Sequence, residues 1–405
     1  MSNTAQWTFL VYMAGDNNLE SAGDDDLKEM QQVGSTPQVN VIVQFDTEEN
    51  KTTRYRVEKG SLPVVEEMPG VDCGDPKVLT DFIQWGAKTY PAAHYLVDVW
   101  NHGGGWENLP SDFDYNSIRS AKPARARKLQ RVKRSLFRTT ARKIGGLEDA
   151  KRAIAIDCGS HDYLDTQELR MAVASGLPGG QKVDVLGCDA CLMNMLEIAF
   201  EMKDAAGYMV GSEETEPGAG WPYADVLKDL TGTPAMTGAQ LANTIAKRYG
   251  AWYQQNGVAS RDGAATQSAL NLGQIQTAFD AVDQLGGALL KDIQKVAGGV
   301  ALARNTAQHF EYPEYIDLGD FAAQLVSRLP RTSPSSKAAA AVQAALKVSG
   351  KGFVTQNARW GSGVKRATGV SIYFPPAGEY SPDYAALQFS KEARWNKFLQ
   401  AFFKA

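Results

Sequence analysis

Short apolar runs that each stop at a glycine or a polar residue are the feature that most constrains this fold. Four such runs, rich in β-branched and aromatic residues, occupy 7–13, 39–45, 95–100 and 183–186. Their length and continuous hydrophobicity are typical of strands buried on both faces. Helical patterns stand between them, so we predict an α/β fold with a mainly parallel sheet flanked by helices on both faces.

Weaker patterns fill in the remaining elements. A further strand is predicted at 153–156, an edge hairpin at 54–57 and 62–65, and a late strand at 369–376 that prolines end. Apolar spacing predicts helices at 81–87, 192–202, 265–290, 316–325, 338–348 and 395–403. We therefore expect a core at 1–250 and a mostly helical C-terminal part at 251–405 that packs on it.

Composition excludes several classes of protein. The 405 residues carry a net charge of −4, with a pI near 5.7, which gives no reason to expect nucleic-acid or membrane partners. Four cysteines are too few for a disulfide scaffold. The sequence begins without a basic segment followed by an apolar one, and it has no apolar run of about 20 residues. We expect a cytoplasmic protein with reduced thiols.

Two candidate catalytic residues follow predicted strands. Cys191 comes after the run at 183–186 and His102 after the run at 95–100. Ligands of parallel sheets bind outside the carboxyl ends of the strands, so the two side chains are expected at one edge. Three glycines follow His102, and they permit close approach of the backbone to a ligand. A thiol nucleophile with a histidine base suits this arrangement.

Other chemistries compete for the same cysteines. Cys188 and Cys191 form a C-x-x-C pair before a predicted helix, whose N-terminal dipole would lower a thiol pKa, as in a disulfide oxidoreductase. A zinc site needs about two more ligands, and the remaining cysteines lack paired spacing. Cys188 also fits a small buried strand residue. A serine hydrolase is excluded because the chain has no G-x-S-x-G motif.

One segment departs from the ordinary composition. Eleven Lys and Arg residues stand between 119 and 147, without an Asp or Glu among them. Such a block is typical of a solvated loop, of a nucleic-acid patch or of a segment that a protease cuts. Stacking aromatics are scarce, with only Phe137 present, which disfavours the nucleic-acid interpretation.

Six motifs in one order carry a resemblance to a known family. They are VYMAGDNNLE at 11–20, NHGGGW at 101–106, DACLM at 189–193, SEETEPGAGWPY at 212–223, YIDLGDF at 315–321 and GVSIYFP at 369–375. Together they resemble the clostripain family of caspase-like cysteine peptidases. The resemblance spans almost the whole chain and implies a caspase-like sheet.

The resemblance also implies roles for individual residues. His102 would be the general base and acid and Cys191 the nucleophile, with the N–H groups of Gly103 and Cys191 as the oxyanion hole. Asp189 would form the floor of the S1 pocket and select Arg or Lys at P1, because a desolvated carboxylate prefers a cation. Glu214 and Glu216 would add to that field. Protein or peptide substrates follow, and no metal and no cofactor is expected.

The same resemblance suggests a role for the basic segment. His102 and Cys191 are 89 positions apart, but 55 without residues 119–152, against about 50 in caspases. The segment is therefore interpreted as an insert whose cleavage activates a zymogen, by the chain itself or by an upstream protease. An intracellular regulatory or defence role is a further hypothesis. A thiol-disulfide oxidoreductase and a catalytically inactive interaction module remain the alternatives.

Overall fold

The computed structural model describes residues 4–107, 109, 113–119, 154–257 and 263–404. The strands are β1 (Ala5–Ala14), β2 (Val39–Thr47), β3 (Lys51–Arg56), β4 (Val64–Pro69), β5 (Ala92–Trp100), β6 (Ile154–Asp157), β7 (Asp162–Leu164), β8 (Val183–Asp189), β9 (Ala206–Gly211), β10 (Ala265–Asn271), β11 (Tyr315–Asp317), β12 (Val354–Trp360) and β13 (Ser371–Tyr373). Nine of them form one sheet, in the order β12-β10-β9-β8-β5-β1-β2-β3-β4.

The middle of this sheet is parallel and its edges are antiparallel. The neighbours β2, β1, β5, β8 and β9 all run in one direction, whereas β3 and β4 on one side and β10 and β12 on the other alternate. The predicted mainly parallel sheet is therefore confirmed. The runs predicted at the centre are the strands buried on both faces, which explains why their hydrophobicity is continuous.

Helices cover both faces of the sheet. They are α1 (Glu20–Met30), α2 (Pro76–Thr89), α3 (Tyr115–Arg119), α4 (Thr166–Gly176), α5 (Leu196–Glu201), α6 (Tyr223–Gly232), α7 (Gly238–Asn256), α8 (Ile275–Lys291), α9 (Ile293–Thr306), α10 (Leu318–Arg328), α11 (Pro334–Leu346), α12 (Gln388–Glu392) and α13 (Arg394–Phe402). Within the described ranges, no helix has the length and apolarity needed to cross a bilayer.

Strand alternation assigns the helices to two layers. The Tyr12 ring of β1 lies 6.0 Å from that of Phe82 in α2. The next residue, Met13, points to the opposite face of the sheet, and so does Trp100, its partner in β5. The Trp100 indole N–H donates to Asp26 of α1, so α1 covers that opposite face. Helices α4, α5 and α8 continue the α2 layer, and α6 and α7 continue the α1 layer.

The sequence patterns were wrong at two places. The segment 265–290, predicted as one helix, divides into edge strand β10 and helix α8. The helix predicted at 192–202 begins only at Leu196, because Leu192 adopts a positive φ of 63° and Met195 forms a bridge with Ser371. Cys191 therefore does not stand at a helix N-terminus, and no helix dipole acts on its thiol.

Residues after 250 contribute to the sheet as well as to the helices. Strands β10 and β12 extend it beyond β9, while α8 packs against α11 and α13. The strand predicted at 153–156 forms as β6, but it pairs with β7 in a separate hairpin. The division at residue 250 stays a prediction. Of the basic insert at 119–152, only Arg119 lies within the described residues.

Candidate active site

The two candidate catalytic residues lie on adjacent loops at one edge of the sheet. Strands β5 and β8 are neighbours, with Trp100 opposite Asp189 at their carboxyl ends, and His102 and Cys191 follow directly. A Cβ added to Gly103 would stand 2.4 Å from the Cys191 carbonyl oxygen. The backbone of the His102 loop therefore packs directly on the backbone of Cys191, and only glycine allows this approach.

Cys191 sits in a sharp turn that its neighbours fix. Its side chain is buried, with 1 % exposure, and the N–H of Glu216 donates to its Sγ over 3.2 Å. The N–H of Leu192, which has positive φ, donates to the Glu214 carbonyl oxygen. Burial raises the pKa of the Cys191 thiol well above its usual range, so the thiol is protonated in this state.

His102 is buried and neutral. It is 2 % exposed, and burial lowers its pKa to about 3. Its Nε2 lies 2.7 Å from Oδ1 of Asn18, which belongs to the loop after β1. A neutral imidazole is the form that can take a proton from a thiol.

Tyr315 supports the glycine loop that follows His102. Its hydroxyl donates to the Gly104 carbonyl oxygen over 3.0 Å, and its ring lies against Gly105, which has a φ of 90°. The predicted oxyanion donors, the N–H groups of Gly103 and Cys191, belong to backbones that touch here. Their role stays a prediction.

Asp189 and Glu216 form a buried pair of carboxyl groups. Asp189 Oδ1 and Glu216 Oε2 are buried and accept no hydrogen bond from a described donor, so the two neighbouring carboxyl groups favour a state in which one of them carries a proton. Burial raises the pKa of both, and the charge of Asp189 raises that of Glu216 further. The Tyr223 hydroxyl, at 2.8 Å, and the Trp221 N–H, at 3.2 Å, donate to the other oxygen of Asp189. Neutral donors therefore hold this carboxyl group.

Two further acids, Asp98 and Asp26, belong to the same buried region, and neither was predicted as a site residue from the sequence. The Tyr223 hydroxyl also lies 2.7 Å from Asp98 Oδ2, while Asp98 Oδ1 accepts the Asp189 N–H. Burial and the charge of Asp189 raise the pKa of Asp98 well above its usual range, and the same two causes act on Asp26. A detectable signal existed for Asp98, because it is the one charged residue inside the apolar run of β5.

Glu214 has different partners from Glu216. One of its carboxyl oxygens accepts the N–H groups of Thr215, at 2.7 Å, and of Glu311, at 3.2 Å. The Glu216 side chain thus interacts with that of Asp189, whereas the Glu214 side chain binds backbone N–H groups of its own loop and of Glu311. A contribution of Glu214 to P1 binding stays a prediction.

The four cysteines are free, and Cys188 faces Val99 across the β5–β8 pair. Burial raises the pKa of Cys188 well above its usual range, as it does for Cys191. Redox-active C-x-x-C pairs depend on a lowered thiol pKa. These surroundings therefore disfavour the oxidoreductase alternative.

One buried group of potential metal ligands lies elsewhere in the described structure. The ligand atoms of Asp46, Cys73 and Asp157 are within 4.8 Å of one another. Thr52 donates to Asp46, and the Cys73 N–H donates to Asp157 at 2.9 Å. Because protein donors already serve both carboxyl groups, we assign no metal to them.

Comparison with known proteins places the chain among peptidases. A model of the clostripain family matches residues 11–117 and 144–402. Clostripain from Hathewaya histolytica is 25% identical over 250 residues, which are 54% of this chain and 41% of that protein. The match thus spans less than half the length of that relative.

Solved structures show a similar fold. A secreted C11 cysteine protease from Bacteroides thetaiotaomicron, in complex with an irreversible peptide inhibitor, superposes with a TM-score of 0.64 at 17% identity, over 98% of this chain and 99% of the other. An inactive zymogen C11 protease from Parabacteroides distasonis superposes with a TM-score of 0.66 at 20% identity, over 97% of this chain and 99% of the other. The expected caspase-like architecture is therefore confirmed.

Proposed function

The chain belongs to the clostripain family, and on that premise we propose that it is a cysteine endopeptidase with His102 and Cys191 as its catalytic dyad. One observation carries the proposal. The loop that holds His102 packs on the Cys191 backbone so closely that a Cβ at Gly103 would overlap it. Residues from two separate strands thus meet at the edge of the sheet where such folds bind their ligands.

The proposed reaction proceeds through a thioester. His102 takes the thiol proton as Cys191 Sγ attacks the scissile carbonyl carbon, and the backbone N–H groups of Gly103 and Cys191 stabilise the resulting oxyanion. The C–N bond then breaks, and the His102 proton goes to the leaving amine. Water activated by His102 hydrolyses the thioester, releasing the carboxylic acid and restoring the thiol.

Cleavage after Arg or Lys is the proposed specificity. Asp189 and Glu216 form a buried pair of carboxyl groups, one oxygen of each without a described hydrogen-bond donor. Asp189 lies two residues before Cys191, and the Glu216 N–H donates to the Cys191 Sγ. A P1 guanidinium or ammonium would take the place of the proton that burial favours there and make charge-assisted hydrogen bonds to both groups. A neutral P1 side chain would leave buried carboxyl oxygens without partners, which is costly.

Activation by cleavage within 119–152 is also proposed. Cys191 and Asp189 are both buried in the described state, and the Cys191 Sγ accepts a hydrogen bond from the Glu216 N–H. A substrate needs both groups accessible, so this state fits a precursor better than a working enzyme. The basic residues of the insert match the proposed P1 preference, which supports cutting by the protein itself or by a protease of the same specificity.

A cytoplasmic location stays a prediction and has its own test. The free cysteines of the described structure fit a reducing compartment, whereas one solved relative is described as secreted. Fractionation of cells that express the protein, with immunodetection in cytoplasm and medium, distinguishes the two. An intracellular regulatory or defence role depends on that result.

The decisive experiment compares the two cysteines. Wild type, Cys191→Ala and Cys188→Ala are incubated with fluorogenic peptides that carry Arg, Lys or Asp at P1, before and after limited trypsin treatment. The proposal requires Arg or Lys cleavage that Cys191→Ala abolishes and Cys188→Ala largely keeps. Equal dependence on both thiols, with disulfide reduction, indicates an oxidoreductase. Absence of turnover in every form indicates an inactive module.

A further inference from the structure

Asn18 belongs to a sequence motif whose function the dyad leaves unexplained. It lies between β1 and α1, in the loop at 15–19, and β1 is the neighbour of β5 in the sheet. Because Met13 pairs with Trp100, the loop after β1 and the loop that carries His102 leave the sheet side by side. Asn18 is therefore brought to His102 by strand register.

The contact between the two side chains has a chemical direction. The Asn18 Oδ1 lies 2.7 Å from His102 Nε2, and both residues are buried. An amide oxygen can only accept a hydrogen bond, so the imidazole carries its hydrogen on Nε2. The other ring nitrogen, Nδ1, then keeps the lone pair and is the basic atom.

The loop that presents Asn18 is held on several sides. The Asn17 side chain donates to the carbonyl oxygens of Ala14, at 2.9 Å, and Ile156, at 2.8 Å, and accepts the Leu19 N–H. Asn101, next to His102, accepts the Ile156 N–H at 2.8 Å. Both loops are thus tied to β6, and the Asn18 oxygen is fixed in place before any substrate binds.

From this geometry we infer that Asn18 is a positioning residue that fixes the tautomer of His102, so that Nδ1 accepts the proton of Cys191. The inference rests on the proposed dyad and adds a third member to it. Asn18 acts through the imidazole, by excluding the tautomer in which Nδ1 carries the hydrogen and cannot serve as a base.

Two substitutions of Asn18 separate positioning from mere structural support. Asn18→Ala removes the acceptor, and we expect kcat on an Arg peptide to fall about 10- to 100-fold with KM little changed. Asn18→Asp keeps an acceptor for Nε2–H but adds a negative charge, which favours the imidazolium. It should retain more activity than Asn18→Ala and shift the acid limb of the kcat/KM profile upward by about one pH unit.

Thr8→Val is the control. It removes the hydrogen bond that the buried Thr8 hydroxyl donates to the Tyr90 carbonyl oxygen at the other end of β1, and it leaves the loop at 15–19 in place, so the melting temperature should fall while the pH limb stays where it is. A kcat of Asn18→Ala within twofold of wild type, or an acid limb of Asn18→Asp that coincides with the wild-type limb, overturns the inference. If Asn18→Ala does not fold, the Asn18→Asp profile decides alone. Activity that survives both His102→Ala and Cys191→Ala would instead overturn the dyad itself.

Discussion

The backbone N–H of Glu216 donates a hydrogen bond to Cys191 Sγ over 3.2 Å, while the Glu216 side chain pairs with Asp189. One residue thus joins the proposed nucleophile to the carboxyl pair that we propose for P1 recognition. A movement of the segment at 214–217 that opens the pocket would also release the thiol. Substrate binding and exposure of the nucleophile are therefore expected to occur together.

The carboxyl pair leads to a first prediction. Asp189→Asn should lower kcat/KM for Arg peptides by about 100-fold or more, because a neutral amide cannot form a charge-assisted bond with the guanidinium. Glu216→Gln should reduce it less, since burial and Asp189 already favour the protonated form of Glu216. Initial rates on Arg and Lys peptides measure both effects.

Glu214→Gln is the control for this pair. Its oxygen accepts backbone N–H groups that an amide oxygen also accepts, so its folded structure should be kept. A loss equal to that of Asp189→Asn would move P1 recognition toward Glu214. Undiminished Arg cleavage by Asp189→Asn would show that the pocket lies elsewhere.

Gly103 gives a second prediction, on packing. Gly103→Ala places a methyl group 2.4 Å from the Cys191 carbonyl oxygen and 2.9 Å from the Ala190 Cβ, and both belong to the turn of the nucleophile. The turn must shift, at a cost of about 1–3 kcal/mol in the free energy of unfolding. Peptide cleavage should fall with it, because the proposed oxyanion donors separate.

The matched control for this packing is Gly232→Ala, at the end of α6. A Cβ there meets no described atom within 4 Å, so stability and turnover should stay close to wild type. Chemical denaturation and peptide kinetics on the same preparations make the comparison. Full activity of Gly103→Ala would contradict the close contact between the two loops.

Glu197 provides a third prediction, on pH. Burial raises its pKa to about 7, and its Oε1 accepts the Tyr373 N–H and the Tyr384 hydroxyl. The folded state therefore holds a proton that the unfolded chain releases above its usual pKa near 4.5. This group reduces the free energy of unfolding as pH rises from 4.5 to 7, by about 3 kcal/mol in total.

Glu197→Gln imitates the protonated form and removes this titration. In a Cys191→Ala background, which prevents self-cleavage, denaturant unfolding at pH 5 and pH 8 compares the two proteins. The Gln variant should gain stability relative to its parent at pH 8 and differ little at pH 5. A constant difference at both pH values would mean that Glu197 does not titrate as described.

The basic segment gives a fourth prediction. Replacing the twelve Lys and Arg residues between 122 and 152 with Gln should leave the chain uncut and inactive, because the basic sites of the insert beyond Arg119 are gone. Arg119 is kept, since its guanidinium pairs with Asp16 in the loop that holds Asn18. Gel electrophoresis follows cutting, and peptide turnover follows activity.

The control replaces basic residues that are exposed elsewhere. Lys28→Gln with Lys77→Gln changes two lysines whose side chains are 69% and 74% exposed on α1 and α2. This protein should be cut and activated like wild type. An uncut variant of the basic segment that hydrolyses Arg peptides at the wild-type rate would exclude activation by cleavage there.

Four central strands and the hairpin at one edge of the sheet were predictable from sequence, whereas β9 and the strands β10 and β12 at the other edge were not. The runs that became β1, β2, β5 and β8 are apolar on both faces because helices cover both faces. Strand β10 is different, because three of its buried residues, Thr266, Gln267 and Ser268, are polar. The hydroxyl groups of Thr266 and Ser268 are hydrogen-bonded, which makes their burial possible. Its remaining apolar residues therefore matched a helical spacing.

The site residues also divide into those that the sequence could predict and those that it could not. His102, Gly103, Cys191 and Asp189 could be named from motifs at strand ends. The partners Asn18, Asp98 and Tyr223 could not, because strand register and side-chain direction bring them in from distant parts of the chain. Periodicity also could not reveal the positive φ of Leu192, which delays the helix after Cys191.

The position of the basic insert has a consequence for assembly. A cut within 119–152 leaves β1 to β5 on one polypeptide and β6 to β13 on the other, and β5 pairs with β8 in the middle of the sheet. The processed protein would then be an obligate heterodimer with its seam between the two catalytic loops. Its unfolding would depend on protein concentration, and two separated chains would regain an active site only by reassociation.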